Sequence, residues 1–411
     1  MPILLEEDMQ RKLPKMHTIK QKFDKSKLDN IEEAIKLEFK RSFIKEKNIE
    51  GKKVAVAVGS RGIKNLQTIV KTTIDQIKAF GGRPFIISAM GSHGRGTESG
   101  QREVLEGYGI TEESLNVPII TKVDVVKLGK TKRGLDIYFD KTAYEADLVV
   151  PINRVKLHTD FSGPLQSGLC KMLVIGLGNH VGCSSVHEQD PNLFAEIIEE
   201  AASIIIDKTN VGFGLAIIEN AYDETAKVQL IPSETMIEDE KELVKMAKNN
   251  MPYLRIPEAD VLVVEEIGKD VSGAGFDPNI LGRSPLLKTF LLPIPRIQKM
   301  VLLDVTEASH GNGIGVGFFD VITKNVFDKL DLEAMYTNAI ACKCIDDVKI
   351  PLITEDENEA IRVALKTCRD IDRDNPKIIK IKNTLELEYI QVSEALMEYV
   401  DRDDMLSVFS A

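Results

Sequence analysis

The 411-residue chain is 43% hydrophobic and 28% charged, enough apolar material for about two or three packed cores and too ordinary a charge content for global disorder. Its formal net charge of -11 argues against a duplex nucleic acid partner, which needs a basic face. No run approaches the roughly 18 apolar residues of a membrane span, the N-terminus "MPILLEEDMQRK" turns acidic too early for a signal peptide, and an odd count of five cysteines predicts free thiols in the cytoplasm.

The first fifty residues are charged, with helical spacing in "LDNIEEAIKLEFKRSFI". "KKVAVAVGSRG" is a β-branched run ending in a glycine turn, the pattern of a buried parallel strand. "NLQTIVKTTIDQIKAFGG" follows as an amphipathic helix closed by Gly81 and Gly82. "RPFIISAMGSHGRG" repeats the strand and glycine loop, and "TESGQREVLEGYGI" the helix, with Thr97 as N-cap. "ADLVVPINRVKLH" predicts another strand, stopped by Pro151. "LFAEIIEEAASIIIDKT" is a helix, "VGFGLAIIENA" and "AKVQLIPSE" a pair of strands, and "EDEKELVKMAKNNMPYL" a charged helix leading into prolines. "ADVLVVEEIG" and "KMVLLDVTEA" then resume the rhythm, followed by two further helices.

Strand, glycine loop and helix in repetition mean βαβ units. The expectation is an α/β protein of two α/β domains with mainly parallel sheets and an active-site cleft between them. Residues 1–253 form the N-terminal catalytic domain and 254–411 a C-terminal domain that closes the cleft. Ligands of open α/β sheets sit at the carboxyl ends of strands, so the loops after Val58, Met90 and Val150 can bring Arg61, His93 and His158 together.

The chemistry-bearing residues cluster. "VGSRGI" offers the backbone of Gly59 and Ser60 to a phosphate but lacks the GxGxxG order of a dinucleotide site. His93, between small residues in "GSHGRG", is an accessible acid or base. "HTDFSGPLQSGLCKMLVIGLGNHVGCSSVH" holds three of the six histidines, His158, His180 and His187, around Lys171. An amine among apolar neighbours is fit for covalent chemistry; the three histidines could instead hold zinc, though no HExxH spacing supports it. In the second half, "GKDVSGAGFDPNILGR" and "TEASHGNGIGVGFFD" present Lys269, Asn279 and His310, against the plainer reading of ordinary turns.

These residues resemble the lactate racemase family, whose members carry a nickel-pincer nucleotide, Ni(II) pyridinium-3,5-bisthiocarboxylic acid mononucleotide. The resemblance runs through "GSH" at His93, "HTDFSG" at His158, Lys171, the later His187 and the glycine-turn Arg61, in order across roughly residues 20–250. It implies that Lys171 anchors the cofactor through a thioamide, that His187 ligates nickel, and that Gly59, Ser60 and Arg61 contact the cofactor. Arg61 would also meet the substrate, and His93 and His158 are the paired acid and base. It further implies a cytoplasmic racemase or epimerase of a 2-hydroxy acid working by hydride transfer through a 2-keto acid. Dedicated cofactor-synthesis enzymes would supply the cofactor, and a homo-oligomer is left open. The chain departs from the family at Val58, where an aspartate is expected, and in a longer interval from His158 to Lys171. The family's lactate-contacting residues have no match in "GKDVSGAGFDPN", so the substrate is expected to differ from lactate, with Lys269, Asn279 and His310 as its new contacts. A non-catalytic small-molecule binding protein of the same fold and a histidine-ligated metal hydrolase are the competing readings.

Overall fold

The structure, a computed structural model, describes residues 4–60 and 62–409. Its strands run in chain order as β1 (Met16–Gln21), β2 (Lys53–Val58), β3 (Arg83–Ser88), β4 (Ile119–Ile120), β5 (Val125–Lys130), β6 (Asp136–Asp140), β7 (Leu148–Arg154), β8 (Phe213–Glu219) and β9 (Thr225–Pro232). They continue as β10 (Glu258–Ile267), β11 (Arg296–Val305), β12 (Val321–Thr323), β13 (Leu352–Thr354), β14 (Ile378–Ile381), β15 (Tyr389–Ser393) and β16 (Leu406–Val408).

Asp24–Met251 is one compact unit. Its sheet has the order β4-β3-β2-β7-β8-β9, parallel from β4 to β8 with β9 antiparallel at the edge. Burial on both faces explains the unbroken apolar runs: Val54 through Val58 are all inaccessible. The helix Leu66–Ala79 places Leu66, Ile69, Val70, Thr73 and Ile77 on one face. Its apolar members share a core with Val54, Val56 and Val58 of β2. Each isoleucine so buried contributes roughly 1.5–3 kcal/mol. Thr97 caps its helix as expected, its side chain accepting from the Gly100 N–H at 3.1 Å. An antiparallel ribbon of β5 and β6 stands apart from the sheet.

The other unit is built from the chain before Asp24 and after Met251. Its sheet has the order β13-β12-β11-β10-β14-β15-β1-β16; β13 to β14 are parallel, and β15, β1 and β16 antiparallel. The grouping differs at the N-terminus from the unbroken 1–253 read in the sequence, because β1 pairs with β15 and β16. Both units are α/β with mainly parallel sheets.

Two local expectations are corrected. Pro151 does not end its strand: β7 continues to Arg154 and pairs with β8 from Ile152 onward. Proline lacks an N–H, but the carbonyl of Gly212, which follows the Val149–Val211 bridge, already accepts from Ser233 at 3.0 Å. The "LDNIEEAIKLEFKRSFI" helix is two helices, Ile31–Glu38 and Ser42–Glu46, because Arg41 turns extended between them. Among the described residues no single helix is long and apolar enough to cross a membrane.

Candidate active site

The carboxyl ends of β2, β3 and β7 carry the loops that the sequence singles out. After β2, the hydroxyl of Ser60 hydrogen-bonds Nδ1 of His93, which stands on the loop after β3. Tyr108 Oη donates to the Ser60 carbonyl at 2.9 Å and steadies that loop. Gln101 steadies the other, its Nε2 donating to the Gly91 carbonyl at 3.1 Å while its Oε1 accepts from Ser88 at 2.6 Å. His93 is exposed. Arg61 lies outside the described residues.

His158 sits beyond β7, half-buried, on a turn that its own neighbours fix. Its N–H donates to Gln166 Oε1 at 2.7 Å, its Nδ1 receives the Asp160 N–H at 3.0 Å, and its ring stacks on Phe161 with centroids 4.3 Å apart. Its Nε2 lies 2.5 Å from Lys171 Nζ.

Lys171 occupies the first turn of a helix whose continuation, Met172–Gly176, is wound as a π-helix, a form often found at functional sites. A buried carboxylic group organises the start of this helix. Glu240, on the helix Met236–Asn250, accepts the N–H groups of Leu169 at 2.5 Å and Cys170 at 3.0 Å. Only glycine fits at 168, where a Cβ would stand 2.5 Å from the Glu240 carboxyl carbon. Glu240 is fully inaccessible, and loss of hydration pushes its carboxyl up to about 7 despite the two N–H donors. Asn153, near the end of β7, donates to the Gly168 carbonyl at 2.8 Å.

His187 closes the helix Asn179–His187. Its Nδ1 lies 2.8 Å from the carbonyl oxygen of Cys183, which can only accept, so Nδ1 carries the proton and a neutral ring keeps its lone pair on Nε2. Hydrogen bonding with Cys183 raises the pKa of His187, against burial and the charge of Lys171. Burial pushes the Cys183 thiol up, but His187 and Ser92 outweigh it and the net shift is downward.

These contacts close a circuit within the Asp24–Met251 unit. His93 bonds Ser60, and a Cβ at the adjoining Gly59 would meet Met172 Cε at 3.1 Å. Met172 follows Lys171, which meets His158. His158 stacks on Phe161, Phe161 packs edge-on to Phe194 at 5.5 Å, and Phe194 packs on His187 at 5.6 Å. His187 meets Cys183, whose Sγ lies 3.6 Å from Ser92 Oγ, next to His93. The circuit thus joins Gly59, Ser60, His93, His158, Lys171 and His187. His180 is exposed and outside it, and among the described residues no three His, Cys, Asp or Glu side chains converge as a metal cluster.

The residues singled out in the second half lie in the other unit. Lys269 N donates to Ser309 Oγ at 2.8 Å and its Nζ to the Gly273 carbonyl at 2.9 Å, which brings its loop beside the exposed His310 at the carboxyl ends of β10 and β11. Asn279 is 2% exposed, and its Nδ2 donates to Asp277 Oδ1 at 3.1 Å within the cap of a short helix.

Histidines and one lysine thus gather near the carboxyl ends of parallel strands, where open α/β sheets bind their ligands. Residues 3–193 match the family model of the lactate racemase N-terminal domain, so that stretch of the chain is similar to lactate racemases. Among solved structures it is similar to the lactate racemase apoprotein from Thermoanaerobacterium thermosaccharolyticum. That likeness has a TM-score of 0.56 at 15% identity and covers 90% of this chain and 99% of that one. No curated protein matches the sequence.

Proposed function

We propose that the protein is a racemase or epimerase of a 2-hydroxy acid that works with a nickel-pincer nucleotide anchored on Lys171. The circuit around Lys171 is the observation that carries this reading. It holds a nucleophilic amine, one imidazole with Nε2 left for a metal, and two further histidines presented from separate loops.

The residues fit the cofactor. A metal held by side chains alone needs a converging ligand set, and the described residues have none. A metal already chelated by an organic pincer needs only one more donor, and imidazole with sulfur donors suits planar Ni(II). When bound, the cofactor supplies a hydride acceptor, so that C2 of the substrate passes through a planar 2-keto acid rather than a carbanion.

The chain's own residues handle the protons. His93 and His158 take the hydroxyl proton on one side and return it on the other, as inversion at C2 requires. Ser60 orients the His93 ring. Gly59 and Ser60 offer backbone N–H groups to the cofactor phosphate, and Arg61 clamps a carboxylate through its two-pronged guanidinium. Lys269, Asn279 and His310 are assigned to a substrate other than lactate. The same reading places the protein in the cytoplasm and makes dedicated synthesis enzymes the source of the cofactor.

Coexpression with those enzymes, followed by intact mass and metal analysis, tests it. The expected result is an adduct on Lys171 with about one nickel per chain, and racemisation of at least one 2-hydroxy acid. An unmodified mass without nickel, in a host that loads a related racemase, would overturn it in favour of the binding-protein reading.

A further inference from the structure

We infer that, before any cofactor is attached, His158 holds Lys171 as a free amine ready for acylation, and that acylation itself ends the His158–Lys171 hydrogen bond. This rests on the reading of Lys171 as the cofactor anchor.

The argument starts at a backbone N–H. That of Asp160 lies 3.0 Å from His158 Nδ1. A backbone N–H only donates, so Nδ1 must present its lone pair, and a neutral imidazole then carries its proton on Nε2. Nε2 is 2.5 Å from Lys171 Nζ. An ammonium there has three donors and no acceptor, and would set N–H against N–H. A neutral amine accepts the Nε2–H. The ring is held in this pose by its stacking on Phe161 and by the His158 N–H bond to Gln166.

Acylation needs no oxidant. The amine nitrogen bonds to the thiocarboxyl carbon, the C–O bond breaks, and oxygen leaves as water with one amine proton and the acid proton. Sulfur stays on carbon, giving a thioamide. Its nitrogen lone pair is delocalised and no longer accepts a hydrogen bond, so the bond from the His158 Nε2–H is given up. At His93, by contrast, the Ser60 hydroxyl can donate or accept.

A dithioester of nicotinic acid tests this on the unloaded full-length protein. Amine attack expels a thiol that carries off the amine proton and leaves a thioamide, and peptide mass spectrometry reads each lysine separately. At neutral pH an ordinary lysine is free amine in only about one molecule in 10³. Lys171 is expected to label at least about 10-fold faster than the exposed Lys40 and Lys71. His158→Phe should reduce it to their rate, while His158→Gln, which keeps an N–H donor, retains part of the excess. Thermal melts confirm that the variants fold, and His93→Ala should leave the labelling unchanged. Labelling of Lys171 at the rate of exposed lysines, or an excess that survives His158→Phe in a folded protein, would overturn the inference. Coexpression judges the anchor separately: a Lys171 adduct with ordinary labelling sinks only the priming, and fast labelling with no adduct sinks the anchor.

Discussion

The two histidine loops of the candidate site solve the same problem with opposite hardware. His93 is exposed and bonded to a hydroxyl, a partner that can reverse its role as the ring gains or loses a proton. His158 is half-buried and bonded to a backbone N–H, a partner that cannot. The first loop is adaptable and the second is preset. The difference lies in the partner atom rather than in the imidazole, and it shows that two histidines of one site need not be interchangeable.

The sharpest way to break the comparison is to remove the lysine that His158 meets. Lys171→Ala, and equally Lys171→Arg, should abolish anchoring and lower turnover by at least about 10³-fold, with the adduct missing from the intact mass. Next come the histidines: His93→Ala and His158→Ala should each lower kcat by about 10²–10⁴-fold. Only the second should also slow loading, measured as the fraction of chains carrying the adduct.

A smaller effect tests the foundation under the preset loop. The Glu240 carboxyl lies above its ordinary value, at about 7, so the folded state holds a proton that the unfolded chain has already released. Stability should therefore fall as pH rises from about 4.5 to 7, by roughly 3 kcal/mol at most. Urea melts across that window should show a flatter pH dependence for Glu240→Gln. Smaller still, Tyr108→Phe removes the bond to the Ser60 carbonyl and should cost about 1 kcal/mol, with a change in the pH profile of kcat confined to the adaptable loop. Thr97→Ala, which removes a helix cap and the hydroxyl's bond to the Gly94 carbonyl beside His93, should cost about 1 kcal/mol.

The adaptable loop was the more legible of the two. "GSHGRG" after an apolar run announces an accessible histidine on a strand-end loop, and Ser60 lies in a second such turn. Phe161 stands inside the quoted "HTDFSG", but nothing in the letters says that it stacks on His158 and leads through Phe194 to His187. Glu240 is one acidic residue in "EDEKELVK", indistinguishable from solvated neighbours until the fold buries it. Tyr108 and Gln101 look ordinary in the sequence because Tyr108 and the Gln101 amide N–H meet backbone carbonyls, which have no sequence signature. The parallel strands were readable from their apolar runs. Pro151 misled because the carbonyl that would have met its missing N–H was taken by a distant residue, Ser233. The strands β1 and β16 were unreadable because each is short and completed only by partners at the far end of the chain.

That pairing governs the order in which the molecule can be made. His17 in β1 stands opposite Val392 of β15, and Lys20 opposite Ser407 of β16. A ribosome therefore releases the whole Asp24–Met251 unit, circuit included, long before β1 has anything to pair with. The site-bearing unit is free to fold during synthesis, while the first strand waits for the last. Deleting the first twenty-odd residues should consequently damage the unit that is finished latest, and spare the one that immediately follows the cut.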